Sequence, residues 1–294
     1  MGPAVLTADP TIAVSVPIDE GVTEKKLGIA FWVAVTWVAI NIIMAIIAPL
    51  LPLHPITPVG SLVPNQGPGL HHLLGTDDLG RDLFSRVVYG ARVSLVVGFA
   101  SIFVGLIIGG GLGLMAGFFR GRVDLVANAV ANIFLAFPAL IFLLALVTFW
   151  GATLFHVTLA IGLLSIAPLF RVVRGSTIIY SERDFVLASR TLGAKNGRIM
   201  IKEILPNIIP TSLAFGLIGV AVAIVAEGGL AFLGLSVPAP TATWGSMISE
   251  GEAFLQQDPF ISLWPALAMF ILVFALNSAA DRLRAYFDIK EGGL

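Results

Sequence analysis

From Leu125 to Phe170 the chain runs for 46 residues without one Asp, Glu, Lys or Arg. An apolar helix crosses about 30 Å of hydrocarbon in about 20 residues. The run is therefore too long for a single crossing and has to turn back on itself. Gly151 to His156 offers the turn, giving a third span over Leu125 to Trp150 and a fourth from near Phe155, with Arg171 and Arg174 at its inner end. A second uncharged run lies between Lys26 and Asp77, and its first part, Leu27 to Leu51, is long and apolar enough to cross. Pro49, Pro52, Pro55 and Pro58 then break the helix and open an extramembrane loop over 52–91.

Val93 to Phe119 makes a second span, the stretch after Pro206 to about Leu235 a fifth, and Phe260 to Ala280 a sixth. An outer loop, 236–259, separates the last two. Composition agrees: 57% of residues are hydrophobic and 12% charged, whereas soluble domains carry about 25% charged residues. The fold class is an all-α integral membrane protein with six transmembrane helices. Cysteine is absent, which excludes disulfides, thiolate metal sites and thiol catalysis.

Six spans leave both termini on one side. Assigning 1–26, 119–124, 171–205 and 281–294 to that side collects 14 of the 17 basic residues and leaves Arg81, Arg86 and Arg92 on the other. The basic side is cytoplasmic by the positive-inside rule. Residues 1–26, with no basic n-region, read as a flexible cytoplasmic tail, and 285–294 as a second tail.

Three features stand out within the spans. Ser101, Gly105, Gly109, Gly113 and Gly117 recur at four-residue steps, a nearly bare ridge on which another helix can pack closely. Asn128 and Asn132 on the third span read as interhelical hydrogen-bond partners. Glu227 is the one carboxylate inside a span. A charge costs several kcal/mol against lipid, so Glu227 is expected to face a subunit interface or a conduit, either as a packing or gating residue or in contact with substrate.

The cytoplasmic loop 171–205 carries seven basic residues. Within it Ser181, three residues before Asp184, has the form of a helix N-terminus. Phe185, Ala188 and Leu192 share one helical face, and Gly193 can end the helix in a left-handed turn. A short amphipathic helix between two spans results. It is either filler on the lipid surface or a docking element.

The stretch DFVLASRTLGAKNGRIMIKEILPNIIP resembles the loop by which permease subunits of bacterial ATP-binding-cassette importers engage their ATPases, patterned Glu-Ala-Ala, three residues, Gly and, further on, Leu-Pro. Ala188, Gly193, Leu205 and Pro206 occupy matching positions. Leu187 stands where Glu is usual, and Ser189 replaces the second Ala. Leu74 to Leu95 and Phe232 to Gly251 look like segments of the second permease of dipeptide, oligopeptide and nickel importers, and the resemblance runs from Leu74 to Asp288.

The resemblance implies a type I importer permease fold and a place in a bacterial or archaeal cytoplasmic membrane. It implies an ATPase-coupling helix made of Asp184, Phe185, Leu187, Ala188, Ser189, Arg190, Leu192, Gly193 and Ala194. The implied partners are a second homologous permease, two ATPases that bind ATP and Mg, an extracytoplasmic peptide-binding protein and membrane lipid, with no nucleic acid. The cargo it implies is small peptides, with nickel as the rival. The chain has no phosphate-binding GxxxxGK[ST] loop of its own, so no catalytic residue and no cofactor are assigned to it.

An autonomous ion-coupled carrier or channel is the reading from another class, and it calls for more intramembrane ionisable groups than Glu227. His54, His71 and His72 in the first outer loop are the remaining candidates. Adjacent histidines can bind a divalent cation, but with no third ligand at suitable spacing they read as residues of a solvated loop. Asp77, Asp78, Arg81 and Asp82 read either as contacts for a delivery protein or as local ion pairs and a helix cap.

Overall fold

A computed structural model describes residues 27–54 and 63–287. The tail 1–26 and most of 285–294 fall outside them. Nine helices form the described part. They are α1 (Gly28–Ile47, extended by a 3-10 turn, Ala48–Leu50), α2 (Leu83–Phe119), α3 (Gly121–Ala136), α4 (Ala139–Trp150) and α5 (Leu154–Ser181), followed by α6 (Asp184–Thr191), α7 (Asn196–Phe232), α8 (Trp244–Glu252) and α9 (Phe260–Tyr286). Five are long and apolar enough to cross a membrane, and α3 with α4, counted together as one bent span, brings the number to six.

The bend corrects the expected straight third span. The helix stops at Phe137, whose extended backbone precedes Pro138, and resumes at an angle of 87°. The proline disfavours helical backbone in the residue before it and cannot donate to the turn above.

Other boundaries also move. The outer loop 52–91 ends early, because α2 starts at Leu83 rather than Val93. The Asp82 carboxylate caps it by accepting from the Ser85 N–H at 2.8 Å. At the cytoplasmic end α5 runs on to Ser181, and α7 begins at Asn196, well before Pro206, so only a short stretch of 171–205 is non-helical apart from α6. The extension of α7 is driven by Ile199, Met200, Ile204 and Ile208. All four are buried, and the chain opens into a π-helical turn over Ile199–Ile204 to keep them inward. The outer loop 236–259 contains α8, and the last helix runs past Ala280 to Tyr286.

Packing is organised by the ridge of small residues. The most extensive helix contact is α2 with α5, and all five ridge positions lie in it. Ser101 donates its hydroxyl to the Thr158 carbonyl at 2.8 Å. A methyl group on Gly105 would meet Leu169 at 2.7 Å, on Gly113 the Phe170 carbonyl oxygen at 2.7 Å, and on Gly117 Thr177 at 2.7 Å. With no water to drive helices together, such close backbone approach supplies the dispersion that holds them.

The main core lies between α2, α5 and α7 and includes Val97, Ile102, Val157, Ile161, Val220 and Ile224. Trp32, Ile43, Phe149, Phe155, Phe270 and Phe274 are turned outward, as lipid-facing surfaces require. A second core sits at the cytoplasmic end, where Leu114, Phe118, Val173, Ile199, Met200, Ile204 and Ile208 close around Val186.

Candidate functional site

The short helix α6 buries one residue in this inner core. Val186 is fully buried, while Phe185, Leu187, Ala188 and Leu192 are exposed, Leu187 to 51% and Leu192 to 87%. The apolar face Phe185–Ala188–Leu192 exists as its spacing suggests, but it points away from the chain. A second tie comes from Arg190, whose guanidinium lies 5.3 Å from the centre of the Phe118 ring.

The ends of α6 are set by backbone. Arg183, not Ser181, occupies the position before the first turn, and no side chain caps it. Ser181 is still inside α5, where its hydroxyl donates to the Ile178 carbonyl at 2.8 Å. The Ser-x-x-Asp pattern misleads because α5 outlasts the apolar run. At the other end Gly193 takes φ +80°, and the Ala194 N–H reaches the Ser189 carbonyl at 3.0 Å. This is the left-handed stop that glycine permits.

The surroundings of α6 are held firmly. Arg174 grips Asp124 with two guanidinium nitrogens, Nη2 lying 2.6 Å from Oδ2. Arg171 donates to Asn132 at 2.7 Å, the interhelical bond expected of that asparagine, and Arg120 donates to Glu182 at 2.6 Å. These pairs join α3, α5 and the end of α2 around the root of α6.

Glu227 does not face a conduit or another subunit. It is completely buried inside its own chain, where Oε1 accepts hydroxyl bonds from Thr243 at 2.7 Å and from Ser236. Its other oxygen lies against Gly245, where a Cβ would approach it to 3.0 Å. Ser236 and Thr243 flank the chain that leads into α8, so Glu227 seats that helix on the outer end of α7. Neither hydroxyl carried a sequence signal, since their partner lies on another element.

The outer face carries a buried ion cluster. Asp77 Oδ2 accepts from Arg81 Nε at 2.6 Å and from Arg86 Nη1, and both arginines reach Glu250 Oε2 on α8, at 2.9 Å and 2.8 Å. Local ion pairing and capping thus account for Asp77, Arg81 and Asp82. Partial burial, with the charge of adjacent Asp77, holds the Asp78 carboxyl above its usual range. His72 departs from its expected place in a solvated loop, because it is buried, with Nδ1 2.9 Å from Asp82 Oδ1.

Residues 109–290 match the model of the binding-protein-dependent transport system inner membrane component family. The chain belongs to that family. Over 85% of its length it is 37% identical to a dipeptide transport system permease protein, DppC, of Alkalihalophilus pseudofirmus, covering 82% of that protein. Over 77% of its length it is 34% identical to a glutathione transport system permease protein, GsiD, of Pectobacterium atrosepticum, covering 75% of it.

Among solved structures, an inward-facing methionine transporter, MetNI, superposes with a TM-score of 0.59 at 20% identity, over 69% of this chain and 97% of that one. Such a likeness supports the all-helical permease fold. The protein is therefore a multi-pass component of the cytoplasmic membrane, a non-catalytic importer permease whose ATP hydrolysis belongs to partner subunits.

Proposed function

We propose that this permease carries small peptides inward, shares its conduit with a second homologous permease, and is driven through α6 by two ATPases that bind ATP and Mg. An extracytoplasmic peptide-binding protein delivers the cargo. The observation that carries the coupling is the orientation of α6. Its exposed apolar face, formed by Phe185, Ala188 and Leu192, is what a cleft in a partner protein would cover, while Val186 anchors the helix in the inner core.

Nucleotide-driven closure of the ATPases then moves α6, and α6 moves α5 and α7, which flank it in sequence. Leu187 makes the contact apolar where related loops have a carboxylate. Peptide cargo is supported by the relatives named for dipeptide and for glutathione, itself a short peptide.

Reconstitution of the assembled complex in liposomes tests the reading. Labelled dipeptide should accumulate only with the ATPases, Mg and ATP present, and a peptide-loaded delivery protein should stimulate hydrolysis. Transport by this chain alone, without nucleotide, would refute it, and stimulation by nickel but not by peptide would replace the cargo.

A further inference from the structure

Three ligand-bearing side chains meet on the outer face, far in the fold from α6. His54 follows the 3-10 turn after α1, His72 lies in the loop before α2, and Asp82 is the residue on which α2 starts. One ligand atom from each lies within 4.8 Å of the other two. The two imidazole rings are 5.0 Å apart between centroids and tilted by 47°.

The local fold holds the three together. Asp82 Oδ2 accepts from the backbone N–H and the hydroxyl of Ser85, at 2.8 Å and 2.7 Å, which leaves Oδ1 directed at His72. The same Ser85 oxygen accepts the backbone N–H of His54 at 3.0 Å, so His54 is fixed at its main chain while its side chain stays exposed. Asp82 is buried, and among the described residues its one ion-pair partner is His72. Unlike Asp77, it has no arginine to balance it among the described residues, and a buried carboxylate in that position favours a cation.

We propose that His54, His72 and Asp82 form a site for one divalent cation of the zinc, nickel and copper class, resident on the outer face of the permease. Two imidazoles and a carboxylate suit those metals, whereas magnesium and calcium call for oxygen shells. The cation takes the place of the proton between His72 Nδ1 and Asp82 Oδ1, and Asp82 Oδ2 keeps its cap on α2. Ligands about 2.0–2.1 Å from a tetrahedral metal stand roughly 3.3 Å apart, so His54 has to swing inward, which its exposed ring is free to do. Water fills the fourth position. The bound cation ties the end of α1 to the start of α2. The proposal does not rest on the peptide reading of the cargo.

The test uses the assembled complex, purified through a tag without histidine, stripped with chelator and titrated with zinc in excess magnesium. Metal counting by mass spectrometry should give one more zinc per copy of this chain in the wild type than in His54→Ala. Zinc affinity of that site should fall at least tenfold in the variant. His71→Ala, a change at the exposed neighbour, should retain the wild-type count. Cobalt in place of zinc should show tetrahedral visible absorption in the wild type and lose it in His54→Ala, and zinc should raise the melting temperature of the wild type and of His71→Ala but not of His54→Ala. Equal zinc in wild type and His54→Ala, an equal loss in His71→Ala, or a wild-type melting temperature blind to zinc would overturn the proposal.

Discussion

Gly109 of α2 lies so close to the Ile166 carbonyl of α5 that a Cβ on the glycine would stand 2.3 Å from the oxygen. Backbone cannot yield to a methyl group there without parting the two helices. Gly109→Ala should therefore destabilise the protein by about 1–3 kcal/mol, the usual cost of overpacking. Gly111, on the other side of the same helix, has nothing within 4 Å of its Cβ position. Gly111→Ala should gain about 0.5–1 kcal/mol from helix propensity. Thermal unfolding of both variants in detergent checks the contrast.

Val186 is the anchor of α6, so its truncation should loosen the lever without removing the docking face. Val186→Ala should cost about 2 kcal/mol through the cavity it leaves, keep the ATPases bound, and lower the peptide imported per ATP hydrolysed. Paired measurements of uptake and hydrolysis in liposomes give the ratio. An unchanged ratio would take the anchor role from Val186.

On the outer face, Asp77 neutralises two buried arginines. Asp77→Asn leaves Arg81 and Arg86 to share the single carboxylate of Glu250, and breaking a buried pair from one side costs about 3–5 kcal/mol. Glu250 is partly exposed, so Glu250→Gln should cost clearly less. Comparing the two melting temperatures tests the ranking.

Thr243 has two tasks, since its hydroxyl oxygen accepts the Ser246 N–H at 2.9 Å to cap α8 and its proton goes to Glu227. Thr243→Val should lose about 1 kcal/mol for the cap and further stability for the buried carboxylate left with fewer partners. Thr243→Ser should restore most of both. Proteolysis of the outer loop, slow in the wild type and in Thr243→Ser and faster in Thr243→Val, reads out the seating of α8.

Much of this was legible in the chain itself because membrane constraints are strong. Uncharged runs marked the spans, the ridge of five small residues marked the face of α2 on which another helix packs, and Gly193 marked the end of α6. Pro138 also carried a signal, but reading hydropathy alone missed the 87° bend between α3 and α4. Ser181 misled because a helix can outlast its apolar stretch. Glu227 and His72 were misplaced for a common reason. Their partners, Thr243 with Ser236 and Asp82, are joined to them only by folding, and burial inside one subunit leaves no trace in hydropathy.

The central claim, that the outward face of α6 is where an ATPase docks, has a direct test because the chain contains no cysteine. Leu192→Cys, carrying a short photo-crosslinker in the assembled complex, should form an adduct with the ATPase subunit. Leu70→Cys, equally accessible but on the outer face, should form none. Labelling of lipid alone from Leu192→Cys, or an ATPase adduct from Leu70→Cys, would contradict the account.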